Sequence, residues 1–240
     1  NIYDYFFGEM ALDTSYVSSF DLKYLGHSAF EIKTPERSIL IDPFLQVSNY
    51  DYRNENITDI FLTHGHADHL GSAIDIANNK RALITAIYEL ANYCMQKGSR
   101  ARGVNFGGWI EYDWGKALFV PAFHSSSTID GVYTGMPAGI ILDINGVKIY
   151  HAGDTSLYSD MKLIRRLYNP DIALIPVGGT YTMDIDNAAI AALWIGAKVT
   201  IPIHYNTFDI IEVDIKRFSM MLQTKNLNCQ IMQPDEVLQF

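Results

Sequence analysis

Apolar residues in this chain gather in short runs, and the spacing of those runs changes along its length. The first half reads as strands. "FDLKYLG" (20–26) and "SAFEIKT" (28–34) alternate or run apolar, as do "SILIDP" (38–43) and "ITDIFLT" (57–63). "GSAIDIANN" (71–79) predicts a short helix, "ALITA" (82–86) a buried strand and "IYELANYCMQKG" (87–98) a helix closed by Gly98. "KALFVPAFH" (116–124) is a strand that ends on a histidine. "AGIILDINGVKIYHAGD" (138–154) is a hairpin, because Asn145-Gly146 suits a turn whose central residues both need positive φ.

The second half alternates between the two periods. Helices are predicted over 157–168, 184–196 and 212–223, with strands over 171–179, 197–205 and 228–233. Strands first, then strands mixed with helices, predict two sheets packed face to face with helices outside. No repeat, low-complexity tract or linker interrupts the pattern, so residues 21–240 read as one domain. Residues 1–20, aromatic and acidic, read as an extension on the domain surface and an oligomer contact.

Composition narrows the function classes. The 240 residues are 48% hydrophobic, enough for a sizeable core. A formal charge of −9 argues against a nucleic-acid partner, which needs a broad basic face. No apolar run is long enough for a membrane span, and the N-terminus lacks the basic start of a secretory signal, so a cytoplasmic location is expected. Cys94 and Cys229 stand far apart and outside any CxxC pattern, which predicts two reduced thiols.

The chemistry concentrates in "FLTHGHADHLGSA" (61–73). His64, His66, Asp68 and His69 fall within six positions just after an apolar run. In an extended segment His64 and His66 point the same way, which leaves Asp68 and His69 free to aim elsewhere. Other ligand-type residues end separate strands: His124 after "ALFVPAF", Asp154 in "HAGDT" and His204 after "VTIPI". A lone histidine at a strand end is ordinary. Four ligand-type side chains in six residues are hard to explain by packing.

"THGHADH" resembles the HxHxDH signature of the metallo-β-lactamase superfamily. "AFHSSS", "YHAGDT" and "IPIHYNT" follow in that family's order, while "YLGHSAFEI" and "GGTYTMD" resemble its small metal-dependent hydrolases near the ascorbate-phosphate lactonases. The resemblance implies an α/β fold, a four-layer αββα sandwich with metals at one edge. It implies that His64, His66 and His124 hold one divalent ion, that Asp68, His69 and His204 hold another, and that Asp154 bridges them. Imidazoles and carboxylates without thiolate suit zinc first and manganese second.

Such a site implies a hydrolase that uses a metal-bridging hydroxide on a small-molecule ester, lactone or phosphoester. Asp68 would also orient the water. His27, in "GHSAF", is the expected substrate-facing residue outside the metal set. Thr180, Tyr181 and Asn206 are expected to contact substrate, with Thr182 or Asp184 capping the following helix. His151 is expected to support the ligands, and Ser125–Ser127 to form a polar loop. Two other activities share the layout: di-iron reduction of oxygen or nitric oxide, and lipid phosphodiester cleavage. His at position 66, where the redox relatives carry Glu, and the lack of a flavin domain rank the first of these down.

Overall fold

The computed structural model describes residues 20–240. The extension expected at residues 1–20 lies outside these, apart from Phe20, whose backbone pairs with Phe240 in both directions. Two sheets face each other. The first runs in the order β13 (Val237–Gln239), β1 (Asp21–Gly26), β2 (Ala29–Lys33), β3 (Ser38–Ile41), β4 (Ile57–Phe61), β5 (Leu83–Ile87) and β6 (Ala101–Val104). The second runs β12 (Val199–Ile203), β11 (Ile172–Pro176), β10 (Val147–His151), β9 (Ala138–Ile144), β8 (Gly115–Pro121) and β7 (Trp109–Tyr112).

Alternation along the strands sorts side chains into three apolar layers. Ile39 and Ile41 of β3, Ile140 and Leu142 of β9, and Ile172 and Leu174 of β11 fill the space between the sheets. Leu40 points the other way, onto Ile76 of α2 (Ala73–Lys80) and Leu90 of α3 (Tyr88–Gln96). Ile141, Ala173 and Ile175 pack under Ala188 of α5 (Ile185–Ile195) and Phe218 of α6 (Ile215–Thr224). Strands covered on both faces must be apolar at consecutive positions, which is why "SILI" and "IALIP" read as unbroken runs. The result is the expected four-layer αββα sandwich.

Side chains set the helix boundaries. Asp184 accepts a hydrogen bond from the Asn187 amide (2.8 Å) and starts α5. Asp214 accepts from the amides of Lys216 and Arg217 and starts α6. Of the two residues expected to cap the helix after "GGTYTMD", Asp184 does so.

The structure corrects several sequence expectations. The strand expected at 228–233 is only a single bridge, Thr200 to Cys229. The chain there is crossing from the edge of the second sheet to the edge of the first, and Pro234 cannot donate to a ladder. The last strand is β13, which pairs with β1. The helix expected at 157–168 starts only at Met161 as α4 (Met161–Leu163) and continues as one π-helical turn, Ile164–Tyr168. Strands β6 and β7 were not anticipated. Both are four-residue edge strands with half-exposed residues; β6 (ARGV) lacks an apolar run, and β7 (WIEY) is too short for its apolar residues to mark a strand.

Candidate metal centre

Every ligand-type residue singled out in the sequence lies where strands end. His64 and His66 follow β4. Asp68 and His69 ride on α1 (Ala67–Leu70), a single helical turn that the sequence reading did not foresee. His124 follows β8, Asp154 follows β10 and His204 follows β12. The parallel runs β3–β4–β5–β6 and β10–β11–β12 bring these ends to one edge of the sandwich.

The donors form two groups, and within each group one ligand atom per residue lies within 4.8 Å of all the others. His64, His66, His124 and Asp154 form the first. Asp68, His69, His204 and His27 form the second. The Asp154 carboxylate stands between them. Its Oδ1 is 3.2 Å from His69 Nε2, and its Oδ2 is 3.1 Å from His204 Nε2 and 3.4 Å from His124 Nε2.

Buried residues behind the ligands orient the rings. Asp42 is fully buried and held at φ 44°; its Oδ2 lies 2.7 Å from His69 Nδ1 and 2.6 Å from Thr63 Oγ1. Its Oδ1 accepts from the Thr63 amide at 2.8 Å. Since the Thr63 hydroxyl donates to Asp42, its oxygen accepts from His64 Nδ1, 3.0 Å away. One carboxylate thus fixes two tautomers, and both rings direct Nε2 into the site. The sequence reading missed Asp42 and Thr63. The available signal was a carboxylate at the end of a buried strand, in "SILIDP".

His27 sits in the β1–β2 turn at φ 57°, and its side chain is 0% exposed. Nε2 is 2.9 Å from Asp68 Oδ2 and Nδ1 is 2.8 Å from Thr207 Oγ1. Its carbonyl accepts from the His204 amide at 2.9 Å, which ties the β1–β2 turn to the end of β12. His151 is buried and acts as a brace: Nε2 donates to the Ser28 carbonyl and Nδ1 accepts from the Gly153 amide. Gly178 passes so close to the His204 carbonyl that a Cβ there would overlap it.

The expected substrate contacts are partly committed elsewhere. The Thr180 hydroxyl donates to the Ile210 carbonyl, and Asn206 Oδ1 accepts from the Val213 amide at 2.7 Å. Tyr181 is exposed. Ser126 does more than line a polar loop. It accepts from the Gly65 amide at 3.1 Å and pairs with Thr134 at 2.7 Å, which holds the His124 loop against the His64–His66 segment.

Charge is distributed unevenly. Burial holds the pKa of His64, His66 and His124 below the ordinary imidazole value, so these rings are neutral donors. Burial also opposes charge on His204, yet Asp154 and Asp68 outweigh it and raise the ring to about 9. His69 is raised in the same way, by Asp154 and Asp42 against burial. Burial pushes Asp68 up, but hydrogen bonds from His204 and His27 hold it well below the carboxylate range. Burial drives His27 down to about 4 despite its bond to Asp68. A neutral ring facing a carboxylate donates from Nε2, which leaves Nδ1 to accept from Thr207.

The donor set fits divalent metal. His69 Nε2 and Asp154 Oδ1 are buried, 3.2 Å apart, and have no hydrogen-bond partner. Buried polar atoms rarely remain unpaired, and a cation between these two would satisfy both. Six imidazoles and two carboxylates converge here, and no cysteine belongs to either group. Cys94 is free and buried on the far side of the first sheet, and Cys229 is free.

The family model of the beta-lactamase superfamily domain matches residues 21–204. A protein from Anoxybacillus flavithermus named UPF0173 metal-dependent hydrolase is 44% identical over 209 residues, which are 84% of this chain and 93% of that protein. Its counterpart from Geobacillus thermodenitrificans is 43% identical over 208 residues, covering 84% and 92%. Among solved structures, the metallo hydrolase Igni18 from the hyperthermophilic archaeon Ignicoccus hospitalis superposes with a TM-score of 0.85 at 35% identity, over 92% of this chain and 98% of that one.

Proposed function

The chain belongs to the beta-lactamase superfamily and is a metal-dependent hydrolase, and from that premise we propose that it holds two divalent ions and cleaves a small-molecule ester, lactone or phosphoester. Zinc is the first choice and manganese the second. His64, His66 and His124 would hold one ion; Asp68, His69 and His204 would hold the other. The observation that carries the dinuclear reading is the Asp154 carboxylate, whose two oxygens face nitrogens of both groups. Bound there, a metal pair supplies an acidified water at neutral pH and polarises a carbonyl or phosphoryl oxygen.

The chain's own residues do the rest. Asp154 offsets the charge between the two sites. Asp42 and Thr63 keep His69 and His64 presented through Nε2. Asp68 is the more exposed of the two carboxylates, with 29% of its side chain accessible against 2% for Asp154. It would therefore be the one to accept a hydrogen bond from the attacking water. As a ligand whose Oδ2 is held by His27 at 2.9 Å, it would orient that water rather than strip its proton. His27, behind it, holds Oδ2 and leaves Oδ1 for the water. Of the expected substrate contacts, Tyr181 is the exposed one, while the Thr180 hydroxyl and Asn206 Oδ1 engage the backbone of Ile210 and Val213.

Metal analysis of the purified full chain, paired with an ester and phosphoester screen, tests this reading. Two equivalents of divalent metal are expected, with hydrolysis abolished by chelator and restored by zinc or manganese. A single equivalent would remove the bridging role. Oxygen consumption without hydrolysis would favour the redox alternative.

A further inference from the structure

The metal edge opens onto a cleft of about 590 Å³. Its walls include Phe123, His124, Ser125, Tyr133, Met136 and Pro137. His124 belongs to the first donor group, and Ser125 Oγ lies 3.5 Å from His66 Nε2, so the cleft is continuous with the centre. Three of its large side chains are unusually exposed: Phe123 at 60%, Tyr133 at 67% and Met136 at 54%. The loop after β12 adds exposed Phe208 and Ile210 to the same edge.

The charge around this edge is one-sided. The chain has 18 Lys and Arg residues, yet none falls in the segments that carry the site: 26–32, 42–52, 62–79, 122–137, 151–160, 177–184 and 204–214. Residues 1–19 contain none either. Lys116 and Lys148 lie at the starts of β8 and β10, at the opposite edge of the sheet, and Lys198 just precedes β12 and pairs with Asp171. Among the described residues, Lys97 reaches Asp130 in the loop 122–137. Its Nζ is 3.9 Å from Asp130 and sits over the Tyr93 ring. The site segments instead carry Asp130, Asp160, Asp184, Asp209, Glu212 and Asp214.

Sites that select a phosphate or carboxylate on the non-reacting part of a substrate place Arg or Lys to meet it. An acidic rim instead slows the approach of an anion. A cleft with apolar walls takes an apolar group, whose transfer from water is favourable in proportion to buried area. We infer that the substrate is an uncharged carboxylic ester or lactone whose apolar substituent lies in the cleft between Phe123, Tyr133 and Met136. This deepens the hydrolase reading and rests on it. In the reaction, water adds to the carbonyl carbon and the bond to the alcohol oxygen breaks. The water's proton passes to that oxygen, and a carboxylic acid and an alcohol group result.

Two readouts test it on the metal-loaded full chain. In the first, nitrophenyl acetate, butyrate and octanoate are compared with the glutarate half-ester and with nitrophenyl phosphate. kcat/KM should rise about tenfold or more from acetate to octanoate, since each buried methylene adds a several-fold gain. The two anionic esters should be the poorest substrates. Met136→Lys, which supplies the missing cation, should raise KM for the octanoate ester and lower it for the glutarate half-ester. A flat chain-length series, or preference for an anionic ester, would overturn the inference.

The second readout needs no turnover. In protein labelled with carbon-13 at the methionine methyls, the Met136 signal is identified by its loss in Met136→Leu. Octanamide should shift it, and the dianion adipate should not. A shift with octanamide but hydrolysis of neither the carboxylic esters nor nitrophenyl phosphate sinks the proposed ester, lactone or phosphoester reading while the cleft assignment stands. No shift with octanamide sinks the cleft assignment. A shift that follows protein concentration and ignores octanamide gives the surface to a second copy of the chain, which also overturns it.

Discussion

Asp154 is the residue on which the dinuclear reading depends most. Its carboxylate is buried, and His69 and His204 hold its pKa well below the usual value against the effect of burial. Asp154→Asn keeps the shape but removes the charge and one good donor atom. Two divalent ions about 4 Å apart repel by roughly 17 kcal/mol even at an effective dielectric near 20. One ion should leave at modest chelator concentrations, and hydrolysis should fall by about a hundredfold or more, as loss of the acidified water requires. His151→Asn is the comparison. That side chain braces Ser28 and Gly153, so the change should cost about 1–3 kcal/mol of stability through unpaired buried groups, with both metals retained. Full metal content and turnover in Asp154→Asn would sink the bridge. Asp42→Asn probes the support behind the ligands. The amide has one accepting oxygen in place of two, so its NH2 must oppose either the Thr63 amide or the His69 ring and Thr63 hydroxyl; in the second orientation His69 moves its proton to Nε2, the ligating atom. Zinc affinity measured by chelator competition should drop about 10–100-fold, and unchanged affinity would show that Asp42 acts only in packing.

At the scale of elements, one short turn of helix decides the aim of two ligands. α1 has four residues and presents Asp68 and His69. It ends at Gly71, whose φ is 45° and whose position would put a Cβ into the Pro43 carbonyl and the Phe44 backbone. Pro43 follows Asp42 directly, so any displacement there reaches both a ligand and its support. Gly71→Ala is expected to cost about 1–3 kcal/mol for forcing strained backbone and to lower occupancy of the second metal more than the first. Thermal melts and metal stoichiometry check this; a variant with wild-type melting and two full equivalents would contradict it. The elements also show what a single sequence can reveal. Strands covered on both faces and helices started by Asp184 and Asp214 were legible, because patterning and capping are local. The edge strands β6 and β7 were not, since β6 lacks an apolar pattern and β7 has only four residues. The strand expected at 228–233 failed because its apolar residues serve a crossing between sheets.

For the whole molecule, the ions would join parts that are otherwise held mainly by packing between the sheets. The first sheet supplies His27, His64, His66, Asp68 and His69; the second supplies His124, Asp154 and His204. Ions that bind only the folded chain therefore stabilise the association of the sheets by mass action. At about a hundred times Kd each site contributes about 2.7 kcal/mol. For a chain of this size that corresponds to a rise in Tm of roughly 10–20 °C for both sites together. Chelation should lower Tm by that amount, and zinc or manganese should restore it. A Tm indifferent to chelator, in protein shown to have lost its metal, would mean that the sheets are fully held without the ions. No helix among the described residues is long and apolar enough to cross a membrane.

The sequence by itself determined which residue types the candidate site offers. Seven ligand-type residues, their positions after apolar runs and their order along the chain were readable without coordinates, as was the layering of the sandwich, because side-chain chemistry and strand periodicity are local properties. The absence of cations from the site-bearing segments was equally present in the sequence, but it had no meaning until those segments were known to share an edge. Only the tertiary structure decided which donors meet. His64 and Asp154 are 90 positions apart in the chain, and sheet order alone brings them to 3.8 Å. The same folding placed His27, expected at the substrate, behind Asp68, and revealed Asp42 and Thr63 as the residues that orient the ligands. Contacts of that kind depend on register between distant strands and on which face of a turn looks inward. A one-dimensional pattern carries no record of either.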